Sequence, residues 1–182
     1  MKTDRSPSSA PHRIEVKVRE KAQLFNSMDP SPFHEKDLDP DAEEFIESWA
    51  MEYPRKDPVH LIVHLENCPA GTEQEIENGV HHHFAIKEKL TWLELKRLLR
   101  NGRASLIIGS TCLALCLLAG QYLQKQPGTG ESMLRESLTI AGWVAMWRPM
   151  EIFLYEWWPL RRRAQIYRKL SRMPVDVKSR EE

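Results

Sequence analysis

Cysteine is scarce in this chain and forms no framework. Of three cysteines, Cys112 and Cys116 fall inside an apolar run and Cys68 stands alone, so nothing calls for disulfides or an oxidising compartment. Net charge is missing too: 26 basic and 26 acidic residues cancel, which removes the bulk positive charge of a nucleic-acid binder. The opening MKTDRSPSSAPH lacks the apolar core of a cleavable signal and reads as a disordered tail over residues 1–12. No nucleophile–base pair, phosphate loop or zinc spacing is present, so the expectation is a non-enzymatic protein without a cofactor.

Against these absences stands one long uncharged run. Ala104–Tyr122 reads ASLIIGSTCLALCLLAGQY, and through Leu123 it spans 20 residues. At roughly 1.5 Å per residue that covers a bilayer core of about 30 Å. A helix this apolar on every face is predicted to cross a membrane. A second apolar run fills 134–158, and Leu138–Trp158 alone is long enough to cross at 21 residues. It carries Arg148, Pro149, Glu151 and Glu156, so it either spans fully or turns along the interface at Pro149. The polar residues 124–132 are expected to form the external turn between the two.

The preceding part is predicted as a small domain over 13–100. Arg13–Arg19 alternates Ile14, Val16 and Val18 with charges, the period of a half-buried strand. Asp39-Pro40 signals a helix start, with the helix running over Pro40–Tyr53. Val59–Leu65 (VHLIVHL) is the clearest strand. A further helix begins near Thr72, with Thr72 and Glu75 in capping-box positions, and continues into the apolar run. The predicted class is α+β/α: a strand-helix-strand-helix domain followed by a two-helix transmembrane hairpin. Two strands joined by a helical crossover should be parallel, but two strands make a marginal sheet. Helices, the membrane or a second copy must therefore cover it, a reason to expect a homo-oligomer or a membrane-protein partner. The segment 159–182 is expected to be a basic cytoplasmic tail that frays after Pro174.

Charge sets the topology. Lys87, Lys89, Lys96, Arg97, Arg100 and Arg103 precede the first span, and the run Arg161–Arg172 follows the second. The turn between carries Lys125, with Arg135 at its edge. The positive-inside rule then places both termini in the cytoplasm.

Two segments, QLFNSMDPSPFHEKDLDPDAEEFI and GWVAMWRPMEIFLYEWWPLRRR, resemble an uncharacterised family of small bacterial inner-membrane proteins with a cytoplasmic N-terminal domain and two membrane helices. The resemblance covers most of the chain. It implies a bacterial cytoplasmic membrane and carries over no catalytic or ligand residue.

Candidate sites are few. Arg148 and Glu151, three apart, can pair on one helical face. Near the middle of Leu138–Trp158 such a pair would be an intramembrane one, costing roughly 2.5–3.5 kcal/mol per charge. Ser105, Gly109, Cys112, Cys116 and Gly120 form a small-residue stripe suited to helix packing, with Ala141 and Ala145 as a matching face. His60, His64, His81, His82 and His83 are the weaker candidates, for a metal; neighbouring helical residues diverge by about 100°, so the histidine triple is no ready chelate. Asp37, Asp39 and Asp41 imitate the start of a calcium loop, but Ala42 stands where Gly is needed, and capping accounts for them better. The expected function is that of an oligomerising anchor or assembly module, with the Pro/Asp-rich loop Asp29–Asp41 as its first candidate surface. The alternative is a small transport or channel component using Arg148 and Glu151.

Overall fold

The alternating run at the start becomes strand β1 (His12–Val18), and VHLIVHL becomes β2 (Val59–Leu65). In this computed structural model, residues 11–29, 32, 36–54, 57–66, 71–123 and 129–179 are described. The tail up to residue 10, Cys68, and positions 124–128 of the expected turn lie outside the described residues. The chain divides into two units, residues 1–91 with 162–182, and residues 92–161.

In the first unit β1 and β2 pair in parallel, Ile14 beside Leu61 and Val16 beside Val63. Helix α1 (Pro40–Glu52) crosses between them. Its start follows from local chemistry: the Asp39 carboxylate accepts from the Asp41 N–H at 3.0 Å, Pro40 needs no partner, and Asp41 and Glu43 sit in the first turn. Helix α2 (Thr72–Leu123) is a single helix of 52 residues. The expected capping box is not formed. Thr72 is already helical, Gly71 (φ 90°) precedes it, and the Glu75 carboxylate turns to Lys21 at 2.8 Å. Glycine takes that positive φ without the steric cost other residues meet.

The sheet has a third strand, which corrects the two-strand expectation. Helix α5 (Trp157–Leu170) is followed by β3 (Val175–Ser179), and β3 pairs in parallel with β2, Val177 beside Val63. Residues 162–179 are therefore part of the folded domain, and the expected fraying after Pro174 does not occur. The reason is in VDVKS: Val175 and Val177 face the core while Asp176 and Lys178 are exposed. The strand order is β1-β2-β3. Both crossovers move the same way, which for right-handed connections puts the helices on one face.

The core agrees. Ile14, Leu61, Val63, Leu65 and Val177 meet Ile46 and Ala50 of α1, Ile76, Val80 and Phe84 of α2, and Ile166, Tyr167 and Leu170 of α5. The opposite face is polar except for Ile62, which is nonetheless only 3% exposed. It lies in register between Glu15 and Asp176. Their carboxylates reach diagonally to His64 (3.3 Å) and His60 (2.9 Å), so four polar side chains surround one apolar one.

The second unit holds the apolar part of α2, helix α3 (Thr129–Ala145), the short helix α4 (Trp147–Glu151) and a π-helical turn Ile152–Glu156 that leads into α5. Among the described residues one helix, α2, is long and apolar enough to cross a membrane. Helix α3 stops at Ala145 because the ring of Pro149 cannot coexist with a regular helical carbonyl four residues earlier. Small residues bring the helices close. A Cβ on Gly109 would stand 2.8 Å from the Ala145 carbonyl oxygen, and one on Gly142 would stand 2.8 Å from Leu113 Cδ1.

If β3 and α5 complete the core, residues 11–91 expressed alone should aggregate or lack cooperative unfolding. The same residues joined by a flexible linker to 162–182 should fold as a soluble monomer. Circular dichroism and sedimentation check both; a stable, monomeric 11–91 fragment would contradict the role given to β3.

Candidate functional site

Arg148 is the charge that the apolar unit must accommodate, and the π-helical turn helps do so. Its guanidinium reaches Glu151 (3.0 Å) and also Glu156, two turns further on. The wider turn takes carbonyls out of α-helical register. The indole N–H of Trp157 donates to one of them, that of Phe153, at 2.8 Å. Spacing alone points to Glu151; Glu156 comes within reach only through the π-helical turn.

Depth follows from the packing register. Gly102 lies against Ile152 and Phe153, Gly109 against Ala145 and Met146, and Gly120 against Arg135. As residue numbers rise along α2 they fall along its neighbour, so the two stretches run antiparallel. Arg148 then falls level with Leu106–Ile107 and Glu151 level with Ala104. From the sequence alone Arg148 sits near the middle of Leu138–Trp158. The register instead puts it about one turn from the end of the apolar run 104–123, because the second apolar stretch is offset along the first.

The small-residue stripe is partly used in this contact. Gly109 and Gly120 meet the neighbouring stretch, and Cys116 lies 3.3 Å from a Cβ placed on Gly142. Cys112 and Ser105 are half-buried. The opposing small residues are Gly142 and Ala145; Ala141, expected there, is exposed.

The histidines separate. His64 Nε2 is in hydrogen-bond contact with Glu15 across the sheet, His60 Nε2 lies 2.9 Å from the Asp176 carboxylate without an aligned hydrogen bond, and His81 Nε2 lies 2.7 Å from the Met173 carbonyl oxygen. His82 is exposed. His83, 2% exposed, lies between Asp37 (3.0 Å from Nδ1) and Glu43 (3.2 Å from Nε2), and the Leu38 N–H points at the same Nδ1 from 3.2 Å. Among the described residues no three His, Cys, Asp or Glu side chains gather in a way that could hold a metal ion. Of the calcium-like aspartates, Asp39 caps α1 and Asp37 contacts His83.

His83 does something else. Phe25 and Leu38 form an antiparallel bridge, Asn26 N–H donates to the Asp37 carbonyl (2.8 Å), and Asp39 N–H donates to that of Leu24 (3.0 Å). These bonds close the neck of the Pro/Asp-rich loop, and His83 pins that neck to α2. Lys87 holds Glu43 from the far side at 2.7 Å.

A second polar network was not visible in the sequence. Buried Glu47 of α1 receives the Tyr167 hydroxyl (3.0 Å) and Arg163 Nε (3.0 Å), both from α5. Burial, then the Glu47 carboxylate, pushes the Tyr167 phenol up to about 12, against the opposing Arg163 charge. The bond to Glu47 likewise raises Arg163 above its ordinary value. A buried carboxylate with two donors fixes α5 on α1. Sequence separations of 116 and 120 residues hide such partners.

No protein-family model, curated protein or solved structure matches this chain. The function must therefore be argued from its own geometry.

Tyr167 gives a testable pH signature. The folded protein keeps a proton that an unfolded tyrosine, with its ordinary value near 10, releases. Its contribution to stability is complete below about 10 and is lost as pH rises through about 12. Tyr167→Phe should cost about 1–3 kcal/mol near neutral pH by removing a donor from Glu47. The gap between wild type and variant should narrow through that alkaline window in denaturant unfolding. Parallel pH curves would contradict the network.

Proposed function

We propose that this protein is a two-pass membrane anchor that holds one α/β domain at the cytoplasmic surface as a non-enzymatic interaction or assembly module. The observation that carries the reading is the pairing of β3 with β2. The chain enters the apolar unit after residue 91 and returns at residue 162 to the same sheet. A strand cannot pair with another across a bilayer, so a chain that crosses once on α2 must cross back.

Surface chemistry supports the membrane. The most apolar stretch of α2 is only 11% buried within the protein. Ile107, Ile108, Leu115, Leu118, Trp143 and Val144 are left largely exposed. Side chains of this kind, in number, require lipid or another apolar surface. The returning span is then the stretch facing 104–123, with Arg148, Glu151 and Glu156 at its cytoplasmic boundary, where water and headgroups solvate them and Trp157 and Trp158 can anchor. The resemblance to small inner-membrane proteins makes the bacterial cytoplasmic membrane the proposed location.

The interaction surface we favour is the Pro/Asp-rich loop. Its neck is clamped by the Phe25–Leu38 bridge and His83, while positions 30, 31 and 33–35 of the loop lie outside the described residues. The domain itself gives less reason for self-association than two strands would, since β3 and α5 cover the core. A homo-oligomer or membrane-protein partner is better sought on the exposed apolar faces. A transport role for Arg148 and Glu151 is less well supported, because the pair stands level with the start of the apolar run 104–123 and Arg148 is shared with a second carboxylate, Glu156.

Reporter fusions test the anchor. Fusions at the N-terminus and after Glu182 should both report cytoplasmic, and an insertion at Gly128 should report external. A cytoplasmic signal from Gly128 would remove the two-pass reading.

A further inference from the structure

Helix α2 carries an unneutralised basic cleft just before its apolar run. Lys96, Arg100 and Arg103 recur at four- and three-residue steps, on one helical face, and with Leu99 and Phe153 they line a cleft of about 450 Å³. All five residues belong to the second unit. Five other cations are held by carboxylates: Lys21 by Glu75, Lys87 by Glu43, Arg148 by Glu151 and Glu156, Arg163 by Glu47, and Arg168 by Glu88. Among the described residues none is an ion-pair partner of Lys96, Arg100 or Arg103. Like charges at such spacings repel, and the carboxylates either side of Phe153 in sequence are committed to Arg148. A general excess of Lys and Arg would satisfy the positive-inside rule without gathering three unpaired cations against one aromatic wall.

We propose that this cleft binds the phosphate of an anionic phospholipid headgroup. Arg100 and Arg103 supply donors suited to phosphate oxygens and Lys96 supplies a further charge. Phe153 and Leu99 pack against the glycerol region. The same helical face continues through Ile107 and Leu118, exposed by 68% and 62%, where acyl chains lie. A free phosphate shares the headgroup's chemistry but gains nothing from that apolar continuation, and basic pockets at the cytoplasmic end of membrane helices suit such lipids. This inference rests on the membrane reading above.

The test uses the full chain extracted from membranes in mild detergent. Native mass spectrometry follows its titration with phosphatidylglycerol, phosphatidylcholine or inorganic phosphate. Phosphatidylglycerol should bind in preference to phosphatidylcholine, and millimolar phosphate should not displace it. Arg100→Gln/Arg103→Gln should weaken phosphatidylglycerol binding by about thirtyfold. Lys89→Gln/Arg97→Gln, equal in charge lost but outside the cleft, should change it less than about threefold. Equal binding of the two lipids, unchanged binding by the first variant, or equal loss in both variants would overturn the site while leaving the anchor intact. Displacement by phosphate would reassign the cleft to a free anion and overturn the lipid assignment. Recovery of the chain from the soluble fraction without detergent would overturn both readings together.

Discussion

The parallel pairing of β2 with β3 is the constraint on which the rest depends. It recruits residues that follow two apolar stretches into a sheet begun more than a hundred residues earlier. With β3 in place, β2 is a central strand, its apolar side chains covered by three helices and its polar face knit by His60–Asp176 and His64–Glu15. Without it, Val63 and Leu65 would lie at an edge, where unpaired backbone groups invite pairing with other chains. The same bond pattern is what the proposed two-pass anchor rests on, because both ends of the apolar unit return to one folded body.

Polar groups then lock what apolar packing has assembled. Glu47 joins α1 to α5 through Tyr167 and Arg163, and His83 joins the loop neck to α2 through Asp37, Leu38 and Glu43. Both centres are buried, so each unmade bond would cost more than each made bond gains. That asymmetry gives the domain one arrangement of its helices and one base for its loop. Arg148 follows the same logic in the apolar unit, where two carboxylates rather than one meet its charge.

The local elements were legible in the sequence, and the distant pairings were not. Strand β1 showed in the alternation of Ile14, Val16 and Val18, α1 in Asp39-Pro40, and β2 in its unbroken apolar run. Helix α2 showed in its start near Thr72 and its length. Strand β3 was missed because five residues beside a basic helix carry little signal, and because its stabilising partner is far away in sequence. The level of Arg148 along α2 is hidden from the sequence for a related reason. Counting along the second apolar run assumes that run is centred, whereas the offset is set by Gly102, Gly109 and Gly120 on the neighbouring helix. The histidines illustrate the limit most plainly: spacing separated His81, His82 and His83, but only tertiary structure shows that His83 closes a loop.

The most direct measurement is a cross-link between facing strand positions in intact membranes. Ile62 and Asp176 are in register on the polar face of β2 and β3. With Cys68, Cys112 and Cys116 replaced by serine, Ile62→Cys/Asp176→Cys should form an intramolecular disulfide on mild oxidation. Neither cysteine should react with a membrane-impermeant maleimide added outside sealed cells. A protein that fails to cross-link, with one of the two cysteines labelled from outside, would contradict the strand pairing and the two-pass anchor together.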